Sequence, residues 1–232
     1  MLLEQLGCLA DSEIAQQIVE GTYDIPEEID DKTALLLEEI GRVGVQLRSG
    51  DVVITVTPED FQYYWKHVRE GTSSSATKVH FGHYIAAATS DEMSNFLARK
   101  ITLVAKCGIP PERWSYGLTV MLEKVAGVAL VNKLWAILLM EADFNMHNKL
   151  IFGSRMLDQA RKDDIIPEEH FAEKQSTAED RKFVNVLLAD VSRQRRTRMS
   201  SISADTSNCY DRIHHAIMVL VFLSLGVGLG PI

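Results

Sequence analysis

Ser201-Ile-Ser-Ala-Asp205-Thr-Ser-Asn-Cys-Tyr210-Asp211-Arg-Ile213 is the stretch whose reading decides the fold. It reads as a short β-strand over Met199–Asp205 that ends on a carboxylate, turns at Tyr210-Asp211, and enters an apolar helix over Arg212–Leu225 closed by Gly226. A carboxylate at the mouth of a strand, followed within six residues by an aromatic and a second carboxylate, suits a hard divalent cation. Such an ion takes carboxylate, phosphate and water oxygens. The same strand–Asp–turn–helix order occurs in α/β proteins where Tyr210 and Ile213 are simply core, so the upstream chain has to decide between the two.

Immediately upstream, Arg193, Arg195, Arg196 and Arg198 form the one dense basic patch, read as a loop before the strand. Guanidinium groups at that place are either a solvated turn or contacts to phosphate. Thr177-Ala-Glu-Asp180 has the pattern of a helix cap for Arg181–Arg193. Net charge is −8 over 232 residues, which is unpromising for a nucleic-acid partner until it is divided. Residues 1–60 carry 14 acidic and 3 basic side chains, whereas the remainder carries 18 and 21. The acidity therefore belongs to the N-terminal end, and the rest is mildly basic, which permits nucleic-acid contact.

The remaining segments have legible local chemistry. Residues 1–48 read as two helical patterns, the second over Ala34–Leu47, joined by an acidic turn. Val52–Val56 is β-branched and predicts a short strand. Thr57-Pro-Glu-Asp60 opens an aromatic helix over Phe61–Glu70, with a hydroxyl cap, a first-turn proline and acids at the positive helix end. His80 and His83 are three apart and could share a helix face as metal ligands, but no carboxylate or cysteine at a matching spacing completes a site, so packing and hydrogen bonding are expected. Glu92–Lys106 reads as a helix started by Ser90 and stopped by Gly108. Leu118–Leu122 and Leu134–Met140 predict a β-hairpin, and Asp143–Lys162 a helix broken at Ile165-Ile-Pro167.

Cys8, Cys107 and Cys209 are odd in number and far apart, which argues for a reducing compartment and against a disulfide framework. The N-terminus lacks the basic and apolar regions of a signal peptide. Ala216–Gly230 is too short and glycine-rich for a membrane span and is expected as a buried helix. No P-loop, Rossmann glycine pattern or paired-cysteine zinc motif is present.

The segment Asp205–Ile213 resembles the first palm motif of reverse transcriptases of the non-LTR retroelement type: Asp, four mixed residues, an aromatic, Asp, a basic residue and an aliphatic one. Upstream, Thr72–Tyr84, Arg113–Gly127, Asn132–Met156 and Glu173–Phe183 are similar, in order and spacing, to the fingers segments of that family. The resemblance implies a helix-rich α+β fold: right-hand polymerase fingers plus the first strand and helix of the palm, preceded by a helical N-terminal segment. The boundaries expected are an acidic lead-in over 1–57, a fingers-like region over 58–198, and the start of the palm over 199–232.

The resemblance also implies roles. Asp205 would bridge two Mg²⁺ (or Mn²⁺) ions that stabilise the attacking and leaving oxygens of an in-line phosphoryl transfer. The Thr206 carbonyl would supply a further oxygen, Tyr210 would lie beneath the sugar of the incoming dNTP, and Lys124 would reach its triphosphate. The four arginines would contact the backbone of an RNA template and DNA primer; no membrane is implied. Two departures stand out: Trp135 occupies the place of a triphosphate-clamping Arg, and no aromatic-x-Asp-Asp motif follows to complete the metal site. These predict an inactive fingers-and-partial-palm piece, and the unpaired sheet edge and apolar helix face of a palm cut after its first strand and helix predict that it aggregates or needs a partner. The alternative is a non-catalytic helical protein-interaction module. A metal-dependent hydrolase built on His80, His83 and Asp205 is a third reading.

Overall fold

The computed structural model describes residues 12–47, 52–71, 75, 77–128, 130–167, 177–200 and 213–228. Over these the chain is helix-rich with one two-stranded antiparallel sheet. The helices are α1 (Glu13–Val19), α2 (Asp31–Gln46), α3 (Pro58–Lys66), α4 (Phe81–Ala87), α5 (Asp91–Cys107), α6 (Ala142–Leu150), α7 (Leu157–Lys162), α8 (Ala178–Arg195) and α9 (His215–Ser224). The strands β1 (Leu118–Glu123) and β2 (Leu134–Leu139) lie between α5 and α6.

Capping residues set most of the helix starts. Asp30 accepts from the backbone N–H groups of Lys32 and Thr33 and from the Thr33 hydroxyl, and that hydroxyl bond, followed by the Thr33 N–H bond, holds its carboxyl below the usual range. Thr57 and Asp60 form a reciprocal capping box with Pro58 in the first turn, and Thr177 and Asp180 form another. Ser90 caps α5, which ends at Gly108 with φ of +64°. α3 stops at Lys66 rather than continuing to Glu70.

Among the described residues, three apolar clusters hold these elements, α8 and the two strands excepted. In the first, Phe61 and Trp65 of α3 are fully buried among Phe81, Tyr84, Ala98, Ile101 and Met146, with the Trp65 and Tyr84 rings stacked at 4.7 Å. The second joins Val52, Ala105, Ile151, Met156 and Val227. The third packs Ile18 of α1 and Leu37 and Ile40 of α2 against Leu220 and Val221 of α9. The expected segments 1–57 and 199–232 thus share a core. α9 is partly rather than fully buried, and no helix among the described residues is long and apolar enough to cross a membrane.

Val52–Val56, expected as a strand, joins no sheet. Its alternation is that of a strand, with Val52 and Val56 buried and Val53 exposed. Its polar groups are met by other means. Val52 N–H donates to the Gly226 carbonyl at 2.8 Å, and Val56 N–H to Thr102 Oγ1 at 2.8 Å. Arg155 donates to the carbonyls of Val53 and Thr55 and to Asp60. β-branched residues favour the extended backbone, but a ladder needs a second strand, and a guanidinium takes that place here.

The stretch expected as one helix over Asp143–Lys162 contains a wide π turn over Ile151–Met156 between α6 and α7. The extra residue re-aims the side chains that follow by about 100°. Ile151 and Met156, five apart, are both buried as a result.

Candidate functional site

Of the residues singled out in the sequence, Asp205, Thr206 and Tyr210 lie outside the described residues, as does the expected strand beyond Ser200. Lys124 directly follows β1 at the closed end of the hairpin; its side chain is exposed and its N–H donates to the Lys133 carbonyl at 2.9 Å. The hairpin pairs Leu118 with Leu139 through Glu123 with Leu134, which agrees with the strands read from the sequence. Trp135, opposite Leu122, is 60% exposed.

The arginine cluster is not a loop, as its composition suggested. Arg193 and Arg195 form the last turn of α8, Arg196 is its left-handed cap with φ of +52°, and only Arg198 lies beyond. Arginine is a good helix former, and cations are favoured at the negative end of a helix, so the helix runs on through the cluster. Arg193 also pairs with Asp190 at 3.0 Å, one turn back.

His80 and His83 serve the start of α4. The Gly82 N–H donates to His80 Nδ1 at 3.2 Å, and the His80 N–H to His83 Nδ1 at 3.1 Å. Among the described residues no group of three or more His, Cys, Asp or Glu side chains is placed to hold a metal ion. The magnesium implied by the resemblance therefore rests on Asp205.

The best-built polar arrangement was not legible in the sequence. Arg113, ahead of β1, and Glu141 and Asp143, just after β2, converge at the base of the hairpin. Glu141 is fully buried and Asp143 nearly so. Arg113 donates to Glu141 at 2.9 Å and to both oxygens of Asp143. Trp114 Nε1 and the Phe144 N–H donate to Asp143 Oδ1 at 2.9 and 3.1 Å. Ser75 and Thr77 donate to Glu141, the latter at 2.7 Å. A charged pair from one strand end thus fixes the guanidinium entering the other, and two hydroxyls tie in the loop ahead of α4. The one signal in the sequence is positional: ionisable residues flank the two apolar strands on their outer sides.

The electrostatics agree with a closed network. The bonds to Asp143 raise the Arg113 pKa further, and burial followed by the Asp143 charge pushes the Tyr84 hydroxyl up to about 12. Both carboxylates are occupied by donors, so the cluster offers no open position for a ligand or for proton transfer. It joins the hairpin to the body.

His147 adjoins this network, buried between the rings of Trp114 and Phe152. Its Nδ1 meets Asn148 Oδ1 at 3.3 Å, and its Nε2 has no hydrogen-bond partner among the described residues. Burial lowers its pKa, and the Asn148 bond and the Asp143 charge oppose this only partly. A folded-state pKa below the unfolded value means that the unfolded chain takes up the proton first. The neutral ring's contribution is present above about pH 6.5 and is lost as pH falls through the folded-state pKa. His147→Phe is expected to flatten that part of the stability profile, measured by urea unfolding at a series of pH values. An unchanged slope would show that other groups carry it. Compared with protein-family models, with curated proteins and with solved structures, the chain matches none at a significant level.

Proposed function

We propose that this chain is a reverse-transcriptase-like segment of the non-LTR retroelement type, comprising fingers and the first palm motif. The observation that carries this reading is the motif Asp205–Ile213 standing behind four fingers-like segments in family order. Support comes from the antiparallel pairing of β1 and β2, which are the two stretches assigned to fingers strands, and from Lys124 at the loop end of β1. In this reading Asp205 ligates magnesium, Tyr210 lies under the sugar, Lys124 meets the triphosphate, and Arg193, Arg195, Arg196 and Arg198 grip the template–primer backbone. Nucleotide addition by these 232 residues alone is not expected, because no second aspartate motif is among them.

The test is binding of an RNA template annealed to a DNA primer, followed by fluorescence anisotropy across a salt series. Binding that weakens steeply with salt is expected. Replacing all four arginines with glutamine should reduce the log–log slope by up to about 4. Asp205→Ala should leave that binding intact and remove bound Mn²⁺ seen by electron paramagnetic resonance. No hybrid binding at low salt would sink the reading. A second reading, a non-catalytic helical interaction module, is favoured by the exposed apolar side chains of α8.

A further inference from the structure

Among the described helices, α8 is the least integrated. It begins at the Thr177/Asp180 capping box, runs 18 residues, and ends at a left-handed cap, yet none of its described residues is buried. A helix of that length is marginal in water without packing on one face. One face is built for packing. Phe183, Val184, Leu187, Leu188 and Val191 fall at i, i+1, i+4, i+5 and i+8, which places them on a single stripe. Phe183 is 64% exposed and Leu188 51%.

The charges along the helix narrow the choice of occupant. Glu179 and Asp180 stand in the first turn, Arg193 and Arg195 in the last, with Arg196 and Arg198 just after. A parallel copy would set arginine against arginine. An antiparallel copy sets acids against arginines at both ends and opposes the two helix dipoles favourably. An anionic bilayer is a poorer match, because Glu179, Asp180 and Asp190 offset most of the charge of Arg181, Lys182, Arg193 and Arg195 on the same helix.

We propose that α8 is a self-association element, pairing with α8 of a second copy of this chain, antiparallel about a two-fold axis near Leu187. The stripe meets its own equivalent, and Glu179 of each copy faces Arg195 of the other. This surface goes beyond the polymerase reading and stands without it.

Sedimentation equilibrium of the full chain, free of nucleic acid, tests the pairing. A monomer–dimer equilibrium is expected for the natural sequence. Leu187→Glu should give a monomer at every loading concentration, with the circular-dichroism melt of the body unchanged. Arg195→Glu turns two symmetry-related pairs repulsive and should weaken dimerisation by about tenfold; adding Glu179→Arg should restore it. This charge swap keeps the test independent of whether Leu187→Glu folds. A monomer up to about 100 µM, where even a weak interface is populated, would overturn the proposal. So would association that survives Leu187→Glu in a folded variant, or a charge swap that fails to rescue. Binding to anionic vesicles by a chain that stays monomeric would assign the stripe to a membrane surface instead.

Discussion

Arg113→Ala is expected to lower the unfolding free energy by about 3–5 kcal/mol, the usual effect of stripping one partner from a buried ion pair. Glu141 is fully buried, and Asp143 receives two of its four hydrogen bonds from this guanidinium. Removing the cation leaves two carboxylates with neutral donors only. The Coulomb gain between surface charges is small, but these oxygens have been taken out of water and cannot be rehydrated without opening the hairpin base. Arg113→Lys should recover part of the loss, since an ammonium supplies charge without the planar fork that meets both carboxylates. Replacing all three residues with apolar ones of similar volume should recover more than any single change, because the penalty lies in the unpaired charge. Urea unfolding followed by tryptophan fluorescence reads these differences, Trp114 being part of the network. A midpoint unchanged by Arg113→Ala would mean that water already reaches the carboxylates.

Gly44→Ala is expected to destabilise the chain by about 2–3 kcal/mol, against the direction of helix propensity. Alanine in place of glycine inside an isolated helix stabilises it by about 1 kcal/mol. Here a Cβ on residue 44 would sit well inside contact distance of the Val19 carbonyl oxygen, and one on Gly41 would lie 2.9 Å from the Ile18 oxygen and the Gly21 Cα. α1 and α2 therefore touch backbone to backbone, and an added methyl meets main chain, which cannot rotate away. Separating the helices also unseats Leu220 and Val221 of α9 from the same cluster. Gly71→Ala is the control: among the described residues a Cβ there meets nothing within 4 Å, and its effect should stay within about 0.5 kcal/mol. If Gly44→Ala raised the melting temperature, the propensity would have prevailed and the crossing would be looser than described.

Among the described residues, the hairpin and α8 both carry exposed apolar side chains. Met121, Trp135 and Leu138 are each more than half exposed on the hairpin. A two-stranded sheet is marginal alone, and the Arg113 network accounts for how this one is held at its base. Its apolar faces remain open, so loss of α8 pairing and loss of hairpin anchoring are separable: Leu187→Glu should alter the first and Arg113→Ala the second.

Thr57, Ser90, Thr177 and Gly108 placed helix ends where they are found because capping acts over three or four residues and needs nothing from the rest of the chain. The hairpin was equally legible, since two successive apolar runs of strand length have few other ways to pair. Asp205, Thr206 and Tyr210, the centre of the polymerase reading, remain sequence assignments outside the described residues. The sequence by itself determined the local elements and their order. Only the tertiary structure decided that Ser75, Arg113 and Glu141 meet, that Val52–Val56 is met by Arg155 and Thr102 instead of a strand, and that Gly44 lies against Val19. Periodicity and capping are encoded within one turn or one strand. Neutralising a buried charge, or letting two backbones touch, depends on groups brought together from separate segments, and nothing in either segment alone announces the other.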